Sequence, residues 1–188
     1  MEKFTQEEIV NILKRGGVGV LPTDTIYGLV GSALNKHAVA KIRAVKKRPS
    51  ESRFIILVNS ISELELFGVE VTKNIQEALR AVWPGKVSVI LPVSPSAGFK
   101  RYFYLHQGKR DLAFRLPSKP GLRTILRRTG PLVAPSANIS GEPPALKIAD
   151  AENYFGDSID FYYSGKTGRA GRASTLAKLV DDEFELIV

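Results

Sequence analysis

A chain of 188 residues with 44% hydrophobic and 24% charged side chains suits one compact, packed domain, and excludes a disordered or fibrous protein. With no cysteine there can be no disulfide frame, thiolate metal site or cysteine nucleophile, and two separated histidines cannot build a zinc site alone. The formal charge of +8 favours phosphate-bearing ligands without choosing among them.

In chain order, Thr5 followed by Glu8 forms a capping box, and Ile9, Ile12 and Leu13 recur at helical spacing until Gly16 and Gly17. Val18 to Leu21 reads as a short buried strand ended by Pro22, so Thr23, Asp24 and Thr25 emerge as a loop at its end. Asn35 can cap a second helix that carries Ala38, Val39, Ile42 and Val45 inward and closes with Lys46, Lys47 and Arg48 before Pro49. Phe54 to Val58, Val87 to Leu91, Leu112 to Leu116 and Leu132 to Ala134 are further short strands. Helical patterns around Ile75 to Val82 and Leu122 to Arg128 lie between them. Phe161 to Tyr163 and Ser174 to Val180 add strands without intervening helices. The expected fold is therefore α/β, a single domain over residues 1–188 with a twisted mixed sheet, flanking helices and ligands on loops at strand ends. No apolar run reaches the roughly 18 residues of a membrane span, and Met1 to Val10 is not a signal sequence, so we expect a cytoplasmic protein with no membrane contact.

Four loops concentrate hydroxyls, amides and cations: Thr23-Asp24-Thr25, Lys46-Lys47-Arg48, Ser136-Ala137-Asn138 and Ser174-Thr175 after the Gly/Arg-rich stretch 165–172. Singly, each is more often a cap, a turn or a solvated helix end. Jointly, the cations can neutralise phosphates and a carboxylate while the hydroxyls and amide supply directional hydrogen bonds. Lys100, Arg101, Lys109, Arg110, Arg115, Lys119, Arg123, Arg127 and Arg128 crowd one third of the chain with Asp111 the only acid among them. Gly165-Lys166-Thr167 imitates the end of a P-loop, but Asp160 stands where its first glycine belongs and no helical pattern follows. His37 and His106 read as surface or loop residues rather than a catalytic base, which leaves positioning and charge stabilisation in place of a protein nucleophile.

Six ordered segments resemble the YrdC-type threonylcarbamoyl-AMP synthases: Pro22-Thr23-Asp24-Thr25-Ile26-Tyr27-Gly28-Leu29, Lys46-Lys47-Arg48-Pro49, Trp83-Pro84-Gly85, Ala113-Phe114-Arg115-Leu116-Pro117, Ser136-Ala137-Asn138 with its flanks from Pro135 to Pro143, and Ser174-Thr175-Leu176. The likeness runs from about Gly17 to Val180. It implies a basic concave cavity in which Lys46, Arg48, Ser52, Ser136 and Asn138 meet ATP, with Lys46 and Arg48 carrying the catalytic charge. Thr23, Thr25, Arg115 and Ser174 would hold threonine, Arg115 at its carboxylate. Arg53-Phe54 stands where Pro-Leu is usual in that family, Leu57 where a histidine is common, and Asp111 where a small hydroxyl residue is frequent. No arginine follows the last strand, where one is usual.

The implied reaction joins L-threonine and bicarbonate or CO2 as a carbamate whose oxygen attacks the α-phosphorus of ATP, with Mg²⁺ on the phosphates and pyrophosphate released. The product would feed a transferase complex that modifies tRNA to threonylcarbamoyladenosine. On this reading Lys46 and Arg48 lie on an exposed helix end, and their loss should spare the fold. The rival is a basic module that grips tRNA or double-stranded RNA by its phosphates without chemistry. Another variant keeps the fold but makes carbamoyl-adenylate, as in hydrogenase-maturation proteins.

Overall fold

The computed structural model describes residues 4–49, 52–94, 100–168, 173–180 and 183–187. The chain starts as its capping box dictates: in α1 (Gln6–Lys14) the Thr5 hydroxyl accepts from the Glu8 backbone N–H, and the Glu8 carboxylate accepts from the Thr5 N–H. Ile9, Val10 and Leu13 form its buried stripe. Strand β1 (Gly19–Pro22) then turns back as β2 (Tyr27–Ser32), in antiparallel register from Gly19 opposite Val30 to Pro22 opposite Tyr27. That register leaves 23–26 as the connecting turn, which is how the Thr-Asp-Thr segment comes to sit at a strand end. β2 is absent from the sequence reading because Gly28 and Gly31 weaken its strand character. At Gly31 the glycine serves packing, since a Cβ there would lie 3.0 Å from Ile42 Cδ1 and 3.3 Å from Ala38 Cβ.

The second helix, α2 (Lys36–Val45), is capped by Asn35, whose side-chain oxygen accepts from the His37 and Ala38 N–H groups. It ends before Pro49, by its own backbone: Lys47 N–H donates to Ala44 O, Arg48 N–H donates to Arg43 O, and Lys47 takes φ 50°. This is a Schellman ending with a lysine in the left-handed position that glycine usually fills. Its consequence is a sharp change of direction between Lys46, still on the helix, and Arg48, already off it.

β3 (Ile55–Leu57), α3 (Lys73–Val82), β4 (Val87–Pro92), β5 (Asp111–Arg115), β6 (Leu132–Val133), β7 (Phe161–Tyr162) and β8 (Thr175–Val180) lie within a few residues of their expected places. The elements not foreseen are the 3-10 helix Ile61–Phe67, α4 (Phe103–His106), α6 (Ile148–Phe155) and β9 (Glu183–Leu186). α5 (Pro120–Thr129) opens on Pro120, as an N-terminal helix proline should. The described strands form one sheet in the order β7-β1-β2-β6-β3-β5-β4-β8-β9. β1 with β7, β3 with β5 and β4 with β8 run parallel, and the other neighbours antiparallel, so the sheet is mixed.

Both faces are covered. Ile9, Leu13, Leu122 and Leu126 of α1 and α5 pack with Leu57 and Leu132 on one face, while Ile42, Phe54, Ile56, Phe67 and Phe114 belong to the larger core on the other. His106 corrects its sequence reading: it is buried at the end of α4, its Nδ1 accepting from the Gly108 N–H, with its ring edge-on to Phe103. Among the described residues no helix is long and apolar enough to cross a membrane.

The left-handed lysine yields a stability test. Relieving roughly 1–2 kcal/mol of left-handed strain outweighs about 0.5–1 kcal/mol of added chain entropy, so Lys47→Gly should raise unfolding stability by about 0.5 kcal/mol. Lys47→Ala keeps the Cβ and should stay within about 0.5 kcal/mol of the parent in urea denaturation.

Candidate active site

Alternation along the parallel pair β3 and β5 places Arg53, Ile55 and Leu57 on one face, opposite Asp111, Ala113 and Arg115. Beside the patch that α1 and α5 cover, this face opens into a pocket of about 160 Å³. Its walls are the 23–28 turn, the Ala134–Ser136 segment after β6, Ala173 and Ser174 before β8, and the side chains of Arg48, Arg53 and Arg115. Thr23, Thr25, Arg48, Arg115, Ser136 and Ser174 are thus gathered from five separated segments into one cavity.

Arg115 is only 3% exposed and lies 3.0 Å from Asp24 Oδ1, with its Nη1 also donating to Thr25 Oγ1 at 3.4 Å. Burial lowers its pKa, and Asp24 opposes that shift. Asp24 is fixed in turn, its other oxygen accepting from the Ser118 N–H and hydroxyl. Among the described residues Arg115 Nε has no hydrogen-bond partner, a buried donor left over for a ligand. This burial rules out a solvated surface role for Arg115 on β5.

The hydroxyl protons can be assigned from the network. Thr23 Oγ1 donates to Ile26 O at 2.7 Å and accepts from the Thr25 N–H, so in its 2.9 Å contact with Thr25 the proton comes from Thr25. Thr25 therefore presents lone pairs to Arg115. Ser136 Oγ donates to Asn138 Oδ1 at 2.6 Å and offers the pocket an acceptor. Ser174 Oγ accepts from the fully buried Ser88 hydroxyl at 2.9 Å, which leaves its own proton to donate.

Lys46 stands elsewhere than expected. It is 1% exposed, and its ammonium donates to Ser136 O and Asn138 O at 2.6 Å each and to Asn138 Oδ1 at 3.2 Å. Three donors meet three acceptors, and Lys46 O accepts from the Ser140 N–H as well. The side chain lies behind the pocket wall rather than in it, and the premise of an exposed helix end is corrected. Asn138 is likewise saturated, its amide donating to Ile139 O and Glu142 O. Ser52 is half-buried and outside the pocket walls.

Arg48 does reach the cavity. Its Nη2 donates to Arg53 O at 2.7 Å, and its guanidinium lies 5.4 Å from the Phe54 ring, on which Arg43 also stacks at 4.6 Å. Burial first, then Arg43, lowers its pKa. Sequence reasoning missed Arg53, Ile55 and Tyr27 as pocket residues; β-alternation back from Leu57 was the signal for the first two. Tyr27 OH donates to Gly165 O, and Gly168 N–H donates to Thr25 O, so the 163–168 segment lies against the turn. A Cβ at Gly168 would collide with the Asp24 carbonyl. The Gly/Arg-rich residues 169–172 lie outside the described residues. Asp160, at the failed P-loop position, pairs with Lys41 and accepts from the Val18 N–H.

The Sua5/YciO/YrdC family model, described as Telomere recombination, matches residues 11–187. The chain belongs to this family. Its relatives include the threonylcarbamoyl-AMP synthase of Bacillus subtilis strain 168, 33% identical over 172 residues, 91% of this chain and 49% of that protein. The synthase of Cellvibrio japonicus is 29% identical over 90% of this chain and 88% of its own length. The structure titled P. abyssi Sua5 complexed with L-threonine superposes with a TM-score of 0.85 at 28% identity, covering 98% of this chain and 54% of that one. The chain thus spans about half the length of some relatives and most of others. Escherichia coli YciO, at 22% identity and a TM-score of 0.81, shares the fold.

The burial of Lys46 generates two tests. Lys46→Ala would strand the Asn138 carbonyl, at roughly 1–3 kcal/mol, would take one of two bonds from Ser136 O and from Asn138 Oδ1, and would leave the space of a buried side chain. We expect a loss of about 3 kcal/mol in urea denaturation, where an exposed helix end would lose well under 1. Burial and then Arg48 bring the Lys46 pKa down from 10.5 to about 7. A depressed lysine pKa means that the unfolded chain binds more protons between about pH 7 and 10.5, so this group's contribution to stability rises with pH across that window. The stability difference between the parent and Lys46→Met should therefore shift in the parent's favour from pH 7 to 10, and a pH-independent difference would place Lys46 at its ordinary pKa.

Proposed function

We propose that this chain makes threonylcarbamoyl-AMP from L-threonine, bicarbonate and ATP, releasing pyrophosphate and water, for threonylcarbamoyladenosine modification of tRNA. The observation that carries this reading is the pocket's polarity. A buried arginine with hydroxyls around it stands at one end, and two further arginines stand at the other. A carboxylate suits the first end and phosphates the second. The relatives named as synthases and the threonine complex of the P. abyssi protein support the same assignment.

Arg115 binds threonine's carboxylate, and Thr25 and Ser174 flank it with an acceptor and a donor. Ser136, an acceptor toward the pocket, suits a substrate hydroxyl or amine better than a phosphate. The amine adds to CO2 derived from bicarbonate, giving a carbamate and losing a proton. The carbamate oxygen then forms a bond to the α-phosphorus as the bond to pyrophosphate breaks. Arg48 offsets charge on the phosphates in a partly desolvated site. Lys46 acts as a positioning residue: its ammonium holds the Ser136–Asn138 loop against α2, and so sets where Ser136 stands. A volume of about 160 Å³ is small beside the roughly 300–1,000 Å³ of drug-sized sites, so it takes the amino acid at its Arg115 end while the nucleotide extends outward past Arg48 and Arg53.

Among the described residues no cluster of three metal-binding side chains exists, and Asp24 and Asp111 are paired with the pocket arginines Arg115 and Arg53. In this reading Mg²⁺ arrives with ATP as the counter-ion of its phosphates. The partners of this reading are ATP, threonine, bicarbonate and the transferase complex that takes the product, in the cytoplasm. The RNA-binding alternative has less charge to draw on than the sequence suggests, because Arg115 is buried in the pocket and Arg128 pairs with Glu7.

Pyrophosphate release should require threonine, and serine should serve about 10- to 200-fold less well, the worth of one methyl contact. Equal release without any amino acid would refute the assignment. Arg115→Lys should keep charge but raise the threonine KM about tenfold or more, because the fork is lost. Arg48→Ala should retain the fold and cost about a hundredfold in kcat, and Arg48→Lys should recover part of that.

A further inference from the structure

Arg53 is the second cation at the phosphate end of the pocket. Its Nε and Nη2 donate to the two carboxylate oxygens of Asp111 at 2.6 and 3.0 Å, a fork-to-fork pair. The pairing follows from sheet register, because Ile55 stands opposite Ala113 in the parallel ladder and two residues back puts Arg53 beside Asp111. Both residues depart from the family's usual pattern, and the departures meet each other in space. Arg53 also receives Arg48 Nη2 on its carbonyl oxygen, so the two pocket arginines are tied into one unit.

Geometry separates this unit from the threonine end. Asp111 and Arg115 are four residues apart on β5, roughly 13 Å at about 3.3 Å per residue. Arg115 lies opposite Leu57 whereas Arg53 stands four residues back along the same ladder, so a carboxylate held at Arg115 leaves the Arg53 edge for another part of the ligand. Whatever group lies over Arg53 is the far part of a longer ligand. Asp111 occupies only one edge of the guanidinium. Among the described residues Nη1, with two N–H donors, has no partner, and Arg53 borders the cavity. The side chains of Arg53 and Asp111 are 36% and 23% exposed, so the pair is open enough to receive a solvated anion and contributes little to stability by itself.

We propose that Arg53, held in orientation by Asp111, is a further substrate-binding residue that takes the pyrophosphate end of the nucleotide through its free Nη1 edge. This rests on the synthase reading of the pocket. Asp111 is the positioning residue: it fixes the plane of the fork and compensates the guanidinium when no ligand is bound. Arg48 and Arg53 then flank the phosphate chain from one wall while Arg115 holds the amino acid.

The experiment is steady-state kinetics of pyrophosphate release with ATP and threonine varied separately, alongside calorimetric titration of each protein with inorganic pyrophosphate. Arg53→Gln should raise the ATP KM about tenfold, leave the threonine KM within twofold and weaken pyrophosphate binding about tenfold. Asp111→Asn should produce about a third of that effect with the same selectivity, and Arg53→Lys an intermediate one. Melting temperatures should stay within about 2 °C of the parent. An unchanged ATP KM in Arg53→Gln overturns the proposal. So does an equal rise in both KM values with a lowered melting temperature, which would make the pair a structural staple. The double variant Arg53→Gln with Asp111→Asn, which keeps the shape of the pair without charge, must show the same selective loss. Were the parent to release no pyrophosphate with any amino acid, the synthase reading would fail, and pyrophosphate titration of parent against Arg53→Gln would still decide whether Arg53 binds phosphate.

Discussion

The ammonium of Lys46 is the constraint on which the site depends. An amine that is 1% exposed must spend its N–H groups on acceptors, which three oxygens of Ser136 and Asn138 provide, while burial still lowers its pKa to about 7. Because those oxygens belong to a loop some ninety residues away, the bond closes α2 onto the segment after β6. The same loop is tied to β2, since Leu29 N–H donates to Pro135 O and Ala137 N–H donates to Tyr27 O. With its position set, Ser136 stands beside the 23–28 turn, and the cavity between them has a fixed width.

Polar satisfaction explains why the other site groups divide into two kinds. Lys46, Asn138 and Thr23 spend their hydrogen bonds on the protein and shape the walls. Thr25, Ser136, Ser174 and the arginines keep a lone pair, a proton or a guanidinium edge for whatever enters. A pocket made this way is preorganised: its donors and acceptors are aimed before the ligand arrives, so little side-chain freedom remains to be lost on binding. The Schellman turn at Lys47 is part of that arrangement, because it sends Lys46 into the interior and Arg48 toward the cavity within two residues.

Charge is distributed with the same economy. Two of the cavity arginines are paired with an acid, Arg115 with Asp24 and Arg53 with Asp111, which offsets the desolvation of both partners and fixes the fork. Arg43 and Arg48 rest on Phe54, a contact that supports cations in a partly desolvated setting. The net effect is a cationic cavity in which two of the three arginines are oriented by a carboxylate.

Local patterns determined much of this protein by themselves. The Thr5 box, the Asn35 cap, the apolar runs of β3 to β6 and the ordered motifs around Thr25, Arg48, Arg115, Ser136 and Ser174 are properties of short segments, set by capping, alternation and turn chemistry. β2, α6 and β9 were not legible, because glycines or mixed patterns blur their period and the sheet supplies the partners that stabilise them. Burial was decided only in three dimensions. Nothing in Lys46-Lys47-Arg48 says that the first lysine turns inward, since its acceptors come from residues 136 and 138. Nothing in Arg53 or Asp111 says that they pair, since only the parallel register of β3 and β5 brings them together. Sequence carries the types of groups available for chemistry, whereas the tertiary fold assigns each group's remaining hydrogen bonds, and those decide which of them face a ligand.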